Sequence, residues 1–108
     1  MKLELWEIIE DMLNAGAVES GPRVYSITNS KGQLSRVGGP ALAYIEEDES
    51  YRLYWYQNGM LHNPEGQAVF YSDKAAPFQY YLLGNCFTKE DWELKTCSSC
   101  LVNQQLDL

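Results

Sequence analysis

Long apolar runs are missing from this chain, and so are most of the residues that usually carry chemistry. No stretch approaches the roughly 20 apolar residues that a membrane-spanning helix needs. Histidine occurs once and cysteine three times. No Gly-rich phosphate loop, no Gly-x-Ser-x-Gly elbow and no zinc-protease helix is present, so the chain is read as no enzyme. Basic residues are also few, because 8 Lys and Arg stand against 15 Asp and Glu for a net charge of −7. A field of that sign repels phosphate backbones and anionic lipid, which disfavours direct nucleic-acid and membrane binding and steers the protein toward basic protein surfaces. The odd number of cysteines, bunched toward the C-terminus, builds no disulfide framework. Together with an opening Met1-Lys2-Leu3-Glu4 unlike a signal peptide, this points to a reducing, cytoplasmic compartment.

What is present is one domain's worth of chain, 108 residues of which 13% are aromatic. Leu5, Trp6, Ile8, Ile9, Met12 and Leu13 fall within one arc of about 160° on a helical wheel, with Glu4, Glu7, Glu10 and Asp11 opposite. An amphipathic helix over residues 1–16 is therefore expected, closed by Asn14 and Gly16. From Gly21-Pro22 the period becomes alternating, and Val24-Tyr25-Ser26-Ile27 reads as a first strand.

The stretch that follows repeats itself. Gly32, Leu34, Gly39, Ala41 and Tyr44 recur 27 residues later as Gly59, Leu61, Gly66, Ala68 and Tyr71, with Leu42 answered by Val69. Trp55-Tyr56 and Gly59 recur 25 residues later as Tyr80-Tyr81 and Gly84. A two-residue difference in a turn is what a hairpin repeat tolerates. Strands are expected over 40–46, 51–57, 67–72 and 78–83. Asn58-Gly59 is the strongest turn signal and suits a type I′ hairpin, in which both central residues need φ > 0. The segment 51–57 is aromatic on both faces, with Tyr51, Leu53 and Trp55 on one and Tyr54 and Tyr56 on the other. One face must be core; the second is expected to be covered too, an exposed aromatic patch being the alternative. Thr88 reads as the N-cap of a short helix over 88–95, followed by a tail over 96–108. The fold class is thus α+β, a single domain with an N-terminal amphipathic helix packed on an antiparallel sheet of tandem β-hairpins (22–87), a short C-terminal helix and a tail.

Trp55-Tyr56-Gln57-Asn58-Gly59-Met60-Leu61-His62, Gly66-Gln67-Ala68 and Phe87-Thr88-Lys89-Glu90-Asp91-Trp92 resemble a family of small aromatic hairpin-repeat proteins of bacteria and phages, distantly MORN-like. Their unit reads Trp-Tyr-x-Asn-Gly-x-Leu-His-Arg, then Asp-Gly-Pro-Ala. The present chain departs from it at Ser35-Arg36 and at His62-Asn63, so neither unit holds the full His-Arg pair, no fixed polar constellation common to both is expected, and the repeated positions that survive are read as structural. The resemblance implies a non-catalytic protein-interaction module, and its phage flavour an inhibitor of a host defence or nucleic-acid-processing complex. Glu4, Glu7, Asp11, Glu46, Glu47, Asp48 and Glu49 would supply an acidic contact surface, like that of an anti-CRISPR charge mimic, with Tyr54 and Tyr56 as aromatic contacts. The alternative is a zinc-stabilised domain in which His62, Cys86, Cys97 and Cys100 close a tetrahedral site, although free reduced cysteines and no cofactor are the default. Open sheet edges also leave room for a homodimer.

Overall fold

The computed structural model describes residues 2–73 and 79–96, the first three of these as backbone only. The α+β architecture is as expected. Helix α1 (Lys2–Asn14) ends in a Schellman motif: the Ala17 N–H donates to the Met12 carbonyl (2.9 Å), the Gly16 N–H to that of Leu13 (3.1 Å), and Gly16 has φ of 101°. The chain continues through β1 (Val18–Gly21), β2 (Val24–Ser26), β3 (Leu42–Ile45), β4 (Tyr51–Tyr54), β5 (Tyr56–Gln57), β6 (Met60–Leu61), β7 (Val69–Tyr71), β8 (Tyr80–Leu82), β9 (Asn85–Phe87) and α2 (Lys89–Thr96). A five-stranded antiparallel sheet runs in the order β1-β2-β3-β4-β7, and β5-β6 and β8-β9 are separate hairpins. No helix among the described residues is long and apolar enough to cross a membrane. Residues 97–108 of the expected tail, and Phe78 of the fourth expected strand, lie outside the described residues.

Strand alternation sends Tyr25, Ala43, Ile45, Tyr51, Leu53 and Phe70 to the face that α1 covers. Leu5, Ile9 and Met12 reach down from the helix onto Ile27, Ala43, Tyr51 and Leu53, and Met12 is fully buried. Trp6 and Leu13 depart from expectation, being 59% and 48% exposed. Both lie roughly 80–100° round the wheel from Leu5, at one margin of the apolar arc, and the sheet beneath is too narrow to cover the whole arc. β1 was not foreseen either. Val18-Glu19-Ser20-Gly21 is a poor strand former, yet as an outer strand it needs only backbone pairing with β2.

The repeat takes physical form beyond the sheet. The expected strand over 51–57 breaks at Trp55, whose N–H donates to the Ala68 carbonyl (2.8 Å) while its carbonyl accepts from the His62 N–H (2.9 Å). There the chain leaves the sheet for the β5-β6 hairpin. Asn58 and Gly59 have φ of 51° and 82°, as a type I′ turn requires, and Leu83 and Gly84 repeat the turn at 50° and 84°. Successive hairpins are bonded by equivalent atoms. The Gly59 N–H donates to the Leu34 carbonyl and the Gly84 N–H to that of Leu61, both at 2.8 Å. The Arg36 N–H reaches the Tyr56 carbonyl (2.9 Å), as the Asn63 N–H does that of Tyr81 (3.0 Å).

No fixed set of polar residues is shared by the two units, yet equivalent hydrogen-bonding roles are filled in each by different side chains. Ser35 Oγ accepts the Asn58 N–H (3.1 Å), and at the equivalent place His62 Nδ1 accepts the Leu83 N–H (2.9 Å). Arg36 Nη1 donates to the Pro40 carbonyl (3.3 Å), as Asn63 Nδ2 donates to that of Gln67 (2.7 Å). The position demands an acceptor or a donor with a given reach, and serine and histidine, or arginine and asparagine, both meet it.

Two variants test this packing by denaturant unfolding. Met12→Ala should cost about 2–5 kcal/mol, as for other fully buried side chains cut to alanine. Leu83→Asn should instead stabilise the protein by about 1 kcal/mol, since leucine holds a left-handed conformation that asparagine tolerates.

Candidate protein-binding face

The side of the sheet away from α1 carries Val24, Leu42, Tyr44, Arg52, Tyr54, Val69 and Tyr71. Among the described residues no helix packs on it, so the second aromatic face, expected to be covered, remains half-buried at its tyrosines. The physical reason is supply: α1 is engaged on the opposite face and α2 packs on β8 and β9.

The tyrosines form a connected group. Tyr44 and Tyr54 meet edge to face at 6.0 Å between ring centroids, and Tyr54 and Tyr56 lie at 6.4 Å. The Tyr54 hydroxyl is hydrogen-bonded with Tyr71, and Tyr81 with the thiol of exposed Cys86. The Arg52 guanidinium lies 4.9 Å above the Tyr44 ring and pairs with Glu46 at 3.0 Å. Its Nε is buried and has no hydrogen-bond partner among the described residues.

Beside Arg52 the face opens into a shallow concavity of about 500 Å³, lined by Glu46, Glu47, Asp48, Ser50, Arg52 and Asp73. The turn supplying these acids is held by the Glu46 N–H donating to the Ser50 carbonyl (2.7 Å) and by Asp48 Oδ1, which accepts from both the hydroxyl (2.6 Å) and the N–H (3.0 Å) of Ser50. Those bonds, the hydroxyl first, hold the Asp48 carboxyl below its usual range, so it stays ionised. Burial pushes the phenols of Tyr54, Tyr56 and Tyr81 upward, with the Tyr71 hydrogen bond adding at Tyr54. The face therefore presents neutral hydroxyls on rings, with anions at one end.

Of the acids expected to make contact, Glu46, Glu47 and Asp48 gather at this end with Tyr54 nearby. Glu49 stands in the same turn with φ of 72°, lining a second hollow with Glu47 at the foot of α1. Glu7 is exposed on α1, Asp11 is bound to Arg36 at 2.7 Å, and the Glu4 side chain lies outside the described residues. The arginine is itself partly buried, its side chain 13% exposed, and a Cβ at Gly39 would stand 2.6 Å from its guanidinium, so Asp11 and Gly39 together fix the first corner. Sequence reasoning missed Tyr44, Tyr71, Tyr81 and Arg52. The signal was available, because Tyr44 and Tyr71, and Tyr56 and Tyr81, are repeat equivalents and so lie on one side. In the zinc set, His62 Nδ1 is occupied by the Leu83 N–H, and Cys97 and Cys100 lie outside the described residues. Among the described residues no group of three or more His, Cys, Asp or Glu could hold a metal ion.

Compared with models of known protein families, with curated proteins and with solved structures, the chain gives no match.

The raised phenols predict a measurable titration. Each is protonated in the folded state at pH values where the unfolded chain already loses its proton, so their contribution to stability is constant below about pH 10 and declines as pH rises beyond it. Absorbance titration of the phenolate should show Tyr56 ionising later than free tyrosine, a component that Tyr56→Phe removes.

Proposed function

We propose that the chain is a non-catalytic protein-binding module that lays its tyrosine face and acidic end on a basic surface of a partner. The supporting observation is the side of the five-stranded sheet on which no described helix packs, where Tyr44, Tyr54 and Tyr71, with Tyr56 of β5 beside them, adjoin the acids at Glu46, Glu47, Asp48 and Asp73. Tyrosine gives large contact area at low entropic cost, and its hydroxyl hydrogen-bonds at a wet rim. The acids supply long-range steering and reject partners of like charge. The intramolecular stack of Arg52 on Tyr44, tied to Glu46, is the kind of contact that an arginine or lysine of the partner would make along the same face. A basic surface that normally holds nucleic acid fits this charge pattern. Occupying it makes the module an inhibitor by occlusion, in keeping with the phage-like character of the repeat.

Affinity capture from a host-cell lysate at low and high salt tests the reading. A basic partner should be retained at low salt and released at high salt. Reversing Glu46, Glu47, Asp48 and Glu49 to Lys should abolish retention, and Tyr54→Ser with Tyr56→Ser should weaken it by roughly tenfold or more. Undiminished retention by both folded variants sinks the proposal.

A further inference from the structure

The tandem units are equivalent in their backbone bonding but not in what fills them. A groove of about 170 Å³ lies between the two corners of the chain, lined by Trp55 and His62 together with residues of the corners, among them Arg36, Val37, Asn63 and Pro64. It is on the Trp55 side of the molecule, opposite the tyrosine face.

In the next unit the equivalent of Trp55 is Tyr80, that of His62 is Phe87, and that of Arg36 is Asn63. There the position is taken by Trp92 of α2. Its ring lies 4.9 Å from the ring of Tyr80, and its Nε1–H donates to the Asn63 carbonyl at 3.0 Å. The second unit thus contains a bound tryptophan, delivered by a short helix whose N-cap is the Thr88 hydroxyl accepting the Asp91 N–H (3.1 Å). Helix α1 covers the opening strands and α2 the last hairpin, and the first groove falls between them.

We infer that the groove over Trp55 is a binding site for an aromatic side chain, best a tryptophan, carried on a helix of a partner protein. The occupant's ring packs against Trp55 at a tilt, as that of Trp92 does against Tyr80 with 45° between the ring planes. Its indole N–H donates to the Arg36 carbonyl, which stands where the Asn63 carbonyl stands in the second unit. Val37, 84% exposed, and Pro64 close the sides against the ring. His62 is held in place because its Nδ1 already accepts the Leu83 N–H, so its ring edge faces the occupant in a fixed orientation. The repeat points to the occupant's chemistry: one backbone frame binds indole where a helix is tethered to it, and the same frame recurs with no helix over it among the described residues. This site is separate from the tyrosine face and does not depend on the reading of that face.

The probe is a peptide with this chain's own sequence over residues 88–96, added to the full-length protein and followed by NMR. Saturable shifts are expected at the Trp55 indole, His62, Val37 and Gly38, with a dissociation constant on the order of millimolar, as befits one ring and one hydrogen bond. A peptide with alanine in place of the tryptophan should give none. Val37→Arg, on an exposed wall where the fold does not depend on it, should weaken binding by about tenfold or more. Reversal of Glu46, Glu47, Asp48 and Glu49 to Lys should leave these shifts in place, which separates this site from the acidic end of the tyrosine face. Three results overturn the inference: no shift at Trp55 and His62 at the peptide's solubility limit; shifts confined to Tyr80 and Phe87, where the peptide merely displaces α2; or the same shifts on concentrating the protein alone, which would give the groove to a second copy.

Discussion

The bond from each turn glycine to the leucine carbonyl of the hairpin before it holds the structure in register. Hairpins with strands as short as β5 and β6 do not persist alone in water. Here Gly59 on Leu34, and Gly84 on Leu61, tie each tip to its neighbour, and the N–H groups of Arg36 and Asn63 tie each corner. Both glycines come close to the preceding hairpin, their missing Cβ atoms falling 3.6–3.7 Å from Met60 and Gln33. Because main-chain atoms carry this contact, most side chains along the stack are free to vary as long as the turn geometry survives.

That freedom explains the divergence between the units. Position 35 or 62 has to offer an acceptor to the first turn residue of the next hairpin, and position 36 or 63 a donor to the corner carbonyl four residues on. Neither task fixes the residue type. Arginine at 36 is long enough to hold Asp11 as well, so its side chain fastens the first unit to α1, whereas at 63 it is the main-chain carbonyl, present whatever the residue type, that receives Trp92 and fastens the second unit to α2. The two helices are the end caps of a short repeat array, each docked through the same corner by a different chemistry.

Capping both ends leaves surfaces that the helices do not reach. The sheet has two apolar faces, and among the described residues a helix packs on only one of them, α1 supplying a single layer. The opposite face is a tolerable water boundary because its large residues are mainly tyrosines, whose hydroxyls remain solvated or bond to one another. A phenylalanine or leucine face of the same area would be prone to association. The acids at the far end of this face oppose self-association by like-charge repulsion while favouring a basic partner.

The sequence alone determined the helix over its first residues, the period of the repeat, the Asn58-Gly59 turn and the Thr88 cap, because each depends on neighbours within a few positions or on simple recurrence. It also located the aromatic strand with two faces. The tertiary structure decided which face α1 covers, since helix and sheet are symmetric partners in pattern and only packing volume chooses between them. It decided that Trp6 and Leu13 stay exposed, because the width of the apolar arc is a sequence property but the width of the surface that receives it is not. It placed β1 through backbone pairing, to which side chains such as Glu19 and Ser20 give no signal. The shared roles of Ser35 with His62 and of Arg36 with Asn63 were hidden for a related reason: letters differ where hydrogen-bonding geometry is the same, and that geometry exists only once two hairpins, distant along the chain, lie side by side.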